Sequence, residues 1–221
     1  MPPLPESISM KLRLTVLGCL AHTFILSMAP AAQKVIFVVG PAGSGKTTAA
    51  TAYTHEHVQD CAHYSVGNLL REQAKNETEF GLLIRGILER AEIVPLKIGM
   101  QVVEDAIMAD SKPIIIIDGF PPTLEYMDAF EQMLESKPTL ALVGVISIDV
   151  DPEIAQERVS GRLRSDDKKE NFIKRYARFM NNRDQLHQRF AKYGLEIIDG
   201  NQSQYDLKEL FFKTIDTLSK S

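Results

Sequence analysis

From Lys34 to the C-terminus the sequence predicts an α/β fold, a parallel sheet with helices on both faces. Short β-branched runs alternate with longer segments of helical period, which is the pattern of successive strand–helix units. All the runs but one are largely apolar, as strands buried on both faces must be. Strands are expected at 35–39, 62–65, 114–117, 142–148 and 195–198, the second being the less apolar exception. Helices are expected at 45–57, 69–76, 78–90, 96–109, 123–136, 152 to about 162, 167–192 and 204–219.

The first strand, Val35-Ile36-Phe37-Val38-Val39, runs into Gly40-Pro41-Ala42-Gly43-Ser44-Gly45-Lys46-Thr47. That segment fits the pattern G-x-x-x-x-G-K-[ST], and a buried strand before it and a helix after it are the setting the pattern needs. Glycines let the loop curl until successive backbone N–H groups point inward at phosphate oxygens. The following helix adds the positive end of its dipole, and Thr48 continues it. Lys46 would reach the β- and γ-phosphates of a nucleotide, and the Thr47 hydroxyl would hold magnesium. An ordinary glycine turn is the plain alternative, though these four fixed positions recur by chance in only about one chain in a hundred of this length.

The third strand ends on Asp118, followed by Gly119-Phe120-Pro121. A carboxylate at the carboxyl edge of such a sheet lies where ligands of open α/β folds bind. It is a candidate to orient magnesium, although Asp-Gly is also a common turn former. Further on, Asp151 before Pro152 reads as a side-chain cap followed by proline at the first helical position. Arg158, Arg162 and Arg164 then crowd together, and Arg175 returns one helix later. Arg158 and Arg162 are four apart on one predicted helical face, where like charges repel unless an anion or an acid intervenes. Guanidinium groups bind phosphate bidentately and neutralise a phosphoryl group in flight. A solvated network with Asp166 and Asp167 is the competing explanation. On the last helix, Leu207, Leu210, Phe211 and Phe212 read as core.

At 221 residues, 44% of them apolar, the chain has room for one good core and not for two large domains. A net charge of −4 without a polybasic tract argues against a nucleic-acid partner. Cys19 and Cys61 form neither a disulfide framework nor a zinc spacing. The histidines, His63 and His187 among them, show no ligand spacing and read as solvated or core residues. Residues 1–33 differ: Lys11 and Arg13 precede an apolar stretch from Leu14 to Ala29. This is either an extension preceding a chain that opens at Met28 or a targeting segment, and it is too short for a stable membrane anchor. The extension is preferred, because Thr15, His22 and Thr23 interrupt the apolar run and a secreted ATP-dependent enzyme would meet little ATP. The expected location is therefore cytoplasmic.

Taken in order, five stretches resemble the nucleoside monophosphate kinases, the family of adenylate kinases and UMP/CMP kinases. They are the loop at 40–47, Gly67-Asn68-Leu69-Leu70-Arg71, Ile93-Val94-Pro95, Asp118-Gly119-Phe120-Pro121-Pro122, and the run from Arg158 to Asp167. The resemblance covers nearly all of 34–221. It implies a five-stranded P-loop core, a helical acceptor-binding insertion at about 65–95 and a short lid at about 162–167. It also implies that ATP sits on Gly40, Ala42, Gly43, Ser44, Gly45, Lys46, Thr47 and Thr48, with Arg158 on the donor base and Arg162 on donor phosphates. The monophosphate would contact Val66, Gly67, Arg71, the backbone of Ile93 and Val94, and Gly119. Arg164 and Arg175 would stabilise the transferring group beside Lys46 and Arg162, with Mg²⁺ as cofactor and the chain acting as a monomer.

Three departures bear on substrate. Pro122 stands where the family carries an arginine, Tyr126 stands where adenylate kinases carry a base-reading glutamine, and Asn68 replaces an aspartate. The lid is also cut short, since only Leu163 separates Arg162 from Arg164. AMP is the preferred acceptor on the length of segment 72–81, with UMP or CMP as alternatives. A nucleotide-binding protein with weak or lost transfer, and a kinase of some other small molecule, are the remaining readings.

Overall fold

The computed structural model describes residues 32–162, 164 and 166–220. The extension through Ala31, together with Leu163 and Ser165 of the lid, lies outside the described residues. Five strands form one parallel sheet in the order β2-β3-β1-β4-β5. They are β1 (Gln33–Val39), β2 (Cys61–Ser65), β3 (Ile114–Asp118), β4 (Leu140–Asp149) and β5 (Leu195–Asp199). Among the described residues eight α-helices connect and cover them: α1 (Lys46–Glu56), α2 (Val66–Ala74), α3 (Glu79–Glu89), α4 (Leu96–Met108), α5 (Leu124–Ser136), α6 (Pro152–Ser160), α7 (Lys169–Phe190) and α8 (Gln204–Leu218). This is the expected α/β architecture. Gln33, placed by sequence in the extension, opens β1, and its side chain donates to the carbonyls of Asp110 and Lys112.

Alternate residues of the central strands feed opposite faces, as the two-residue period of a strand requires. Val35, Phe37 and Val39 pack with Ile115, Ile117, Met127, Phe130 and Phe190 under α4, α5 and α7. Ile36 and Val38 pack with Ile116, Ile146, Ala50, Phe211 and Ile215 under α1 and α8. With β1 in the middle, the chain turns to β2 and β3 on one side and to β4 and β5 on the other. The carboxyl end of β1 is therefore the point where ligands of such sheets bind. In register, Val38 lies opposite Asp118, and Asp118 lies opposite Ser65. The loop after β1, the acid at the end of β3 and the start of α2 are thus brought to one edge by strand pairing alone.

Several local expectations are corrected. β5 is an edge strand with Ile197 57% exposed and Glu196 exposed, so it is not buried on both faces. Leu210 is exposed on α8, while Leu207 and Phe211 are core. Asp151 precedes α6 but its carboxylate makes no cap; instead its backbone N–H donates to Asn201 Oδ1 at 2.8 Å. α6 stops at Ser160, ahead of Gly161, so Arg162 lies beyond the helix and does not share a face with Arg158. α2 begins at Val66, three residues before its predicted start, because it leaves β2 with no intervening loop. No helix among the described residues is long and apolar enough to cross a membrane.

Candidate active site

The loop at 40–47 joins β1 to α1 and depends on glycine. Gly43 has φ +88°, and a Cβ there would lie 2.3 Å from the Ala155 carbonyl oxygen. Gly45, at φ +92°, is the residue before α1, so the left-handed turn that frees the helix's first N–H groups also demands glycine. Lys46 folds back over the loop and its Nζ donates to the Pro41 carbonyl at 3.0 Å. Burial pushes its ammonium below the ordinary range, Asp118 opposes this, and Arg162, Arg164 and Arg71 push it down again. Ser44 is fully buried with no hydrogen-bond partner for Oγ.

Asp118 is 1% exposed. Burial alone would raise its carboxyl, but hydrogen bonding by His63, the charge of Lys46 and contact with Thr47 outweigh it and hold the group below the usual carboxylate range. His63 Nε2 lies 3.1 Å from Asp118 Oδ2, and its Nδ1 lies 3.3 Å from the Thr51 hydroxyl. By sequence His63 reads as a solvated or core residue, with no sign of this contact. The contact exists only because β2 pairs beside β3, an adjacency that no residue spacing reveals.

Across the cleft the arginines are sorted by two acids. Arg71 makes a fork to Asp166, Nε to Oδ1 and Nη2 to Oδ2, both at 3.2 Å, and Arg175 Nη2 donates to Oδ2 at 2.6 Å. Burial would raise the Asp166 carboxyl, but these arginines, Arg71 foremost, hold it down at about 2. Arg162 Nε lies 3.2 Å from Asp167 Oδ2, close enough for an ion pair yet misaligned for a hydrogen bond, so both atoms are buried without one. Arg164 Nη2 donates to Asn68 Oδ1 at 3.3 Å, an oxygen that also accepts from Arg71. The acids do pair with the arginines, as the competing explanation had it. Asp166, however, is 3% exposed and forms a buried scaffold, not a solvated network.

One continuous cleft contains Gly40, Ala42, Lys46, Thr47, Asp118 and Gly119 at one end, and Val66, Gly67, Arg71, Arg162, Arg164 and Arg175 facing them. Its apolar part is walled by Ile93, Val94, Gly99, Phe120, Pro122 and Tyr126. Arg178 also lines it and was not foreseen; its guanidinium donates to the Ala91 carbonyl. Gly45, Thr48 and Arg158 instead line a second pocket with Gln204, Tyr205 and Leu207. Arg158 there spends its hydrogen bonds on the Gly200 and Gln202 carbonyls, at 2.8 and 3.1 Å. The anion expected to bridge Arg158 and Arg162 is therefore unnecessary, since their head groups go to different partners.

A glycine loop with a buried lysine, set across one cleft from a cluster of arginines, is the arrangement of a P-loop protein whose chemistry suits phosphate-bearing ligands. Residues 38–195 match the family model for adenylate kinase. The chain is 39% identical over 173 residues to an adenylate kinase of a Nitratiruptor species, covering 77% of this chain and 89% of that one. It is 35% identical to an adenylate kinase of Helicobacter pylori over 77% and 91% of the two chains. Against an adenylate kinase of Campylobacter concisus the identity is 33% over 83% of this chain and 100% of the relative. The chain belongs to the adenylate kinase family, and hence is an enzyme of the nucleoside monophosphate kinase class.

Proposed function

We propose that this enzyme transfers the terminal phosphoryl group of ATP to a nucleoside monophosphate, with AMP preferred, giving two molecules of ADP. The observation that carries the reading is that Lys46 and the trio Arg71, Arg164 and Arg175 line the same cleft. In this reading ATP lays its phosphates on the loop at 40–47, and the monophosphate places its phosphate on the arginines. AMP is preferred because the relatives matched over most of their length are named adenylate kinases. Action as a monomer is what the family resemblance implies, and the need for ATP supports a cytoplasmic location.

Asp118 is a buried carboxylate kept ionised, beside Thr47 at the end of β3, a donor set of hard oxygens that suits Mg²⁺. Thr47 and Asp118 would hold that ion with ATP, where it would neutralise phosphate charge. The protein's own part is positioning and electrostatics, since phosphoryl transfer needs little covalent chemistry. Lys46 and Arg162 bind donor phosphates. Arg164, with no carboxylate partner in the described residues, and Arg175, oriented by Asp166, meet the charge that spreads over the moving phosphoryl group.

Pro122 lines the cleft where the resemblance expects a cation, and this favours one second reading, nucleotide binding with weak transfer. A coupled assay with ATP and a panel of AMP, CMP, UMP and dCMP separates the two. Rapid ADP formation with AMP is the expected result, and inactivity with the whole panel would overturn the kinase reading.

A further inference from the structure

Ala91 alone among the described non-glycine residues has a positive φ, +53°, and it is 1% exposed. It follows Arg90, the residue that ends α3. The Ala91 N–H donates to the Leu88 carbonyl and the Glu92 N–H to the Ile87 carbonyl, both at 3.0 Å. This pair of bonds marks the left-handed helix stop in which glycine ordinarily fills the place of Ala91. A Cβ in that conformation crowds the carbonyl oxygen that follows it, so alanine needs support from outside the turn.

The peptide unit after Ala91 is gripped at both polar ends. Its N–H is the Glu92 donor, and its carbonyl accepts from Arg178 Nη2 on α7. A peptide unit is planar, so holding both ends sets the direction in which the chain leaves α3. Burial and the neighbouring Arg175 push the Arg178 guanidinium below its ordinary range, with Glu92 opposing. Glu92 nonetheless bonds both carboxylate oxygens to Arg90, at 2.9 and 2.8 Å, which leaves Arg178 to the carbonyl. The last turn of α3 has no basic residue of its own, and a cation at that end also meets the negative pole of the helix. Residues 92–95 then lead to α4. Ile93 and Val94 wall the cleft, and the Val94 carbonyl is held from the far side by the Tyr126 hydroxyl at 2.7 Å.

Resting on the reading of the cleft as an acceptor site for nucleoside monophosphates, we propose that Arg178 is a positioning residue that holds Ala91 in its left-handed turn, and that acceptor affinity depends on this hold. Without Arg178, Ala91 relaxes toward negative φ, the chain leaves α3 in another direction, and Ile93 and Val94 draw back from the cleft. The rival role is direct contact with the acceptor, since Arg178 also lines the cleft. Residue 91 separates the two roles. Glycine there carries no left-handed strain, so it makes a positioning Arg178 dispensable and leaves a contacting Arg178 as important as before.

The test is a double-mutant cycle of the native enzyme, Arg178→Met, Ala91→Gly and the double variant, read by KM for AMP and for ATP. Arg178→Met is expected to raise the KM for AMP about tenfold and to move that for ATP less than about twofold. Ala91→Gly is expected to match the native enzyme, and in its presence Arg178→Met is expected to raise the KM for AMP less than about threefold. A KM for AMP unchanged in Arg178→Met, or raised as much with glycine at position 91 as with alanine, would overturn the proposal. Urea unfolding of the same four proteins reads the coupling without substrate, so it still decides the matter if no monophosphate is phosphorylated and the kinase reading falls by itself. The drop in midpoint caused by Arg178→Met is expected to shrink when residue 91 is glycine, and equal drops overturn the proposal. If Arg178→Met does not fold, a double variant that folds upholds the proposal and one that also fails overturns it.

Discussion

Lys46, which lines the cleft, and Asp166, which anchors Arg71 and Arg175 from behind it, were legible in the sequence to different degrees. Lys46 acts within its own loop, so its pattern of neighbours was enough to find it. Asp166 takes its role from Arg71, which lies 95 positions away, and the sequence offered only a choice between a surface network and a ligand site. The same limit hid the His63 contact with Asp118 and the bond from Tyr126 to Val94, because each crosses between elements whose adjacency is a property of the packed fold. The buried fork has a consequence for stability. The Asp166 carboxyl is held at about 2 in the folded protein, below its value of about 3.9 in an unfolded chain. The stabilisation it gives is therefore present above pH 4 and is lost as pH falls from about 4 through 2, amounting to about 2 kcal/mol at neutral pH. Asp166→Asn is expected to lower stability to denaturant by that amount at pH 7, with the difference from the native protein disappearing by about pH 2. A constant difference across that range would show that the charge of Asp166 contributes nothing.

At the scale of elements, α7 closes the C-terminal end of α3. Helix ends leave carbonyls without intrahelical partners, and side chains of α7 bond two carbonyls of the last turn of α3 and one just beyond it. Asn171 Nδ2 donates to Glu89 O, Arg175 Nη2 to Leu88 O, and Arg178 to Ala91 O. Asn171 is 4% exposed and also donates to the Asp166 carbonyl, so it ties α3 to the turn that carries both acids. Asn171→Ala leaves the buried Asp166 carbonyl and the part-buried Glu89 carbonyl short of a donor. A loss of about 1 to 3 kcal/mol is expected, measured by urea unfolding, together with a raised KM for the acceptor and a smaller change for ATP. Among the described residues the sequence located the five strands and eight α-helices, because long periodic segments dominate local propensity. It erred where tertiary contacts decide an end: at α2, which starts directly from β2, and at α6, which stops before Arg162. The exposure of Ile197 was missed for a similar reason, since an apolar run does not say whether its strand lies at the centre or the edge of the sheet.

At the scale of the molecule, strand order converts separated motifs into one cleft. β1 in the centre delivers the loop at 40–47, β3 beside it delivers Asp118, and β2 beyond delivers α2 with Arg71. The motifs and their chain order were legible in the sequence, and the resemblance to nucleoside monophosphate kinases rested on them. The division of labour among the arginines was not, because Arg158 turns to the loop after β5 while Arg162 and Arg175 turn to Asp167 and Asp166. In the proposed function one cleft carries phosphoryl from ATP directly to AMP. Phosphorus NMR of a mixture of ATP, AMP, Mg²⁺ and enzyme tests it most directly. ATP and AMP are expected to decline together, with two ADP appearing for each pair consumed, and Lys46→Met to slow this by about a hundred-fold or more with the fold retained. ATP that stays intact beside AMP, or that falls to ADP and free phosphate while AMP persists, would contradict it.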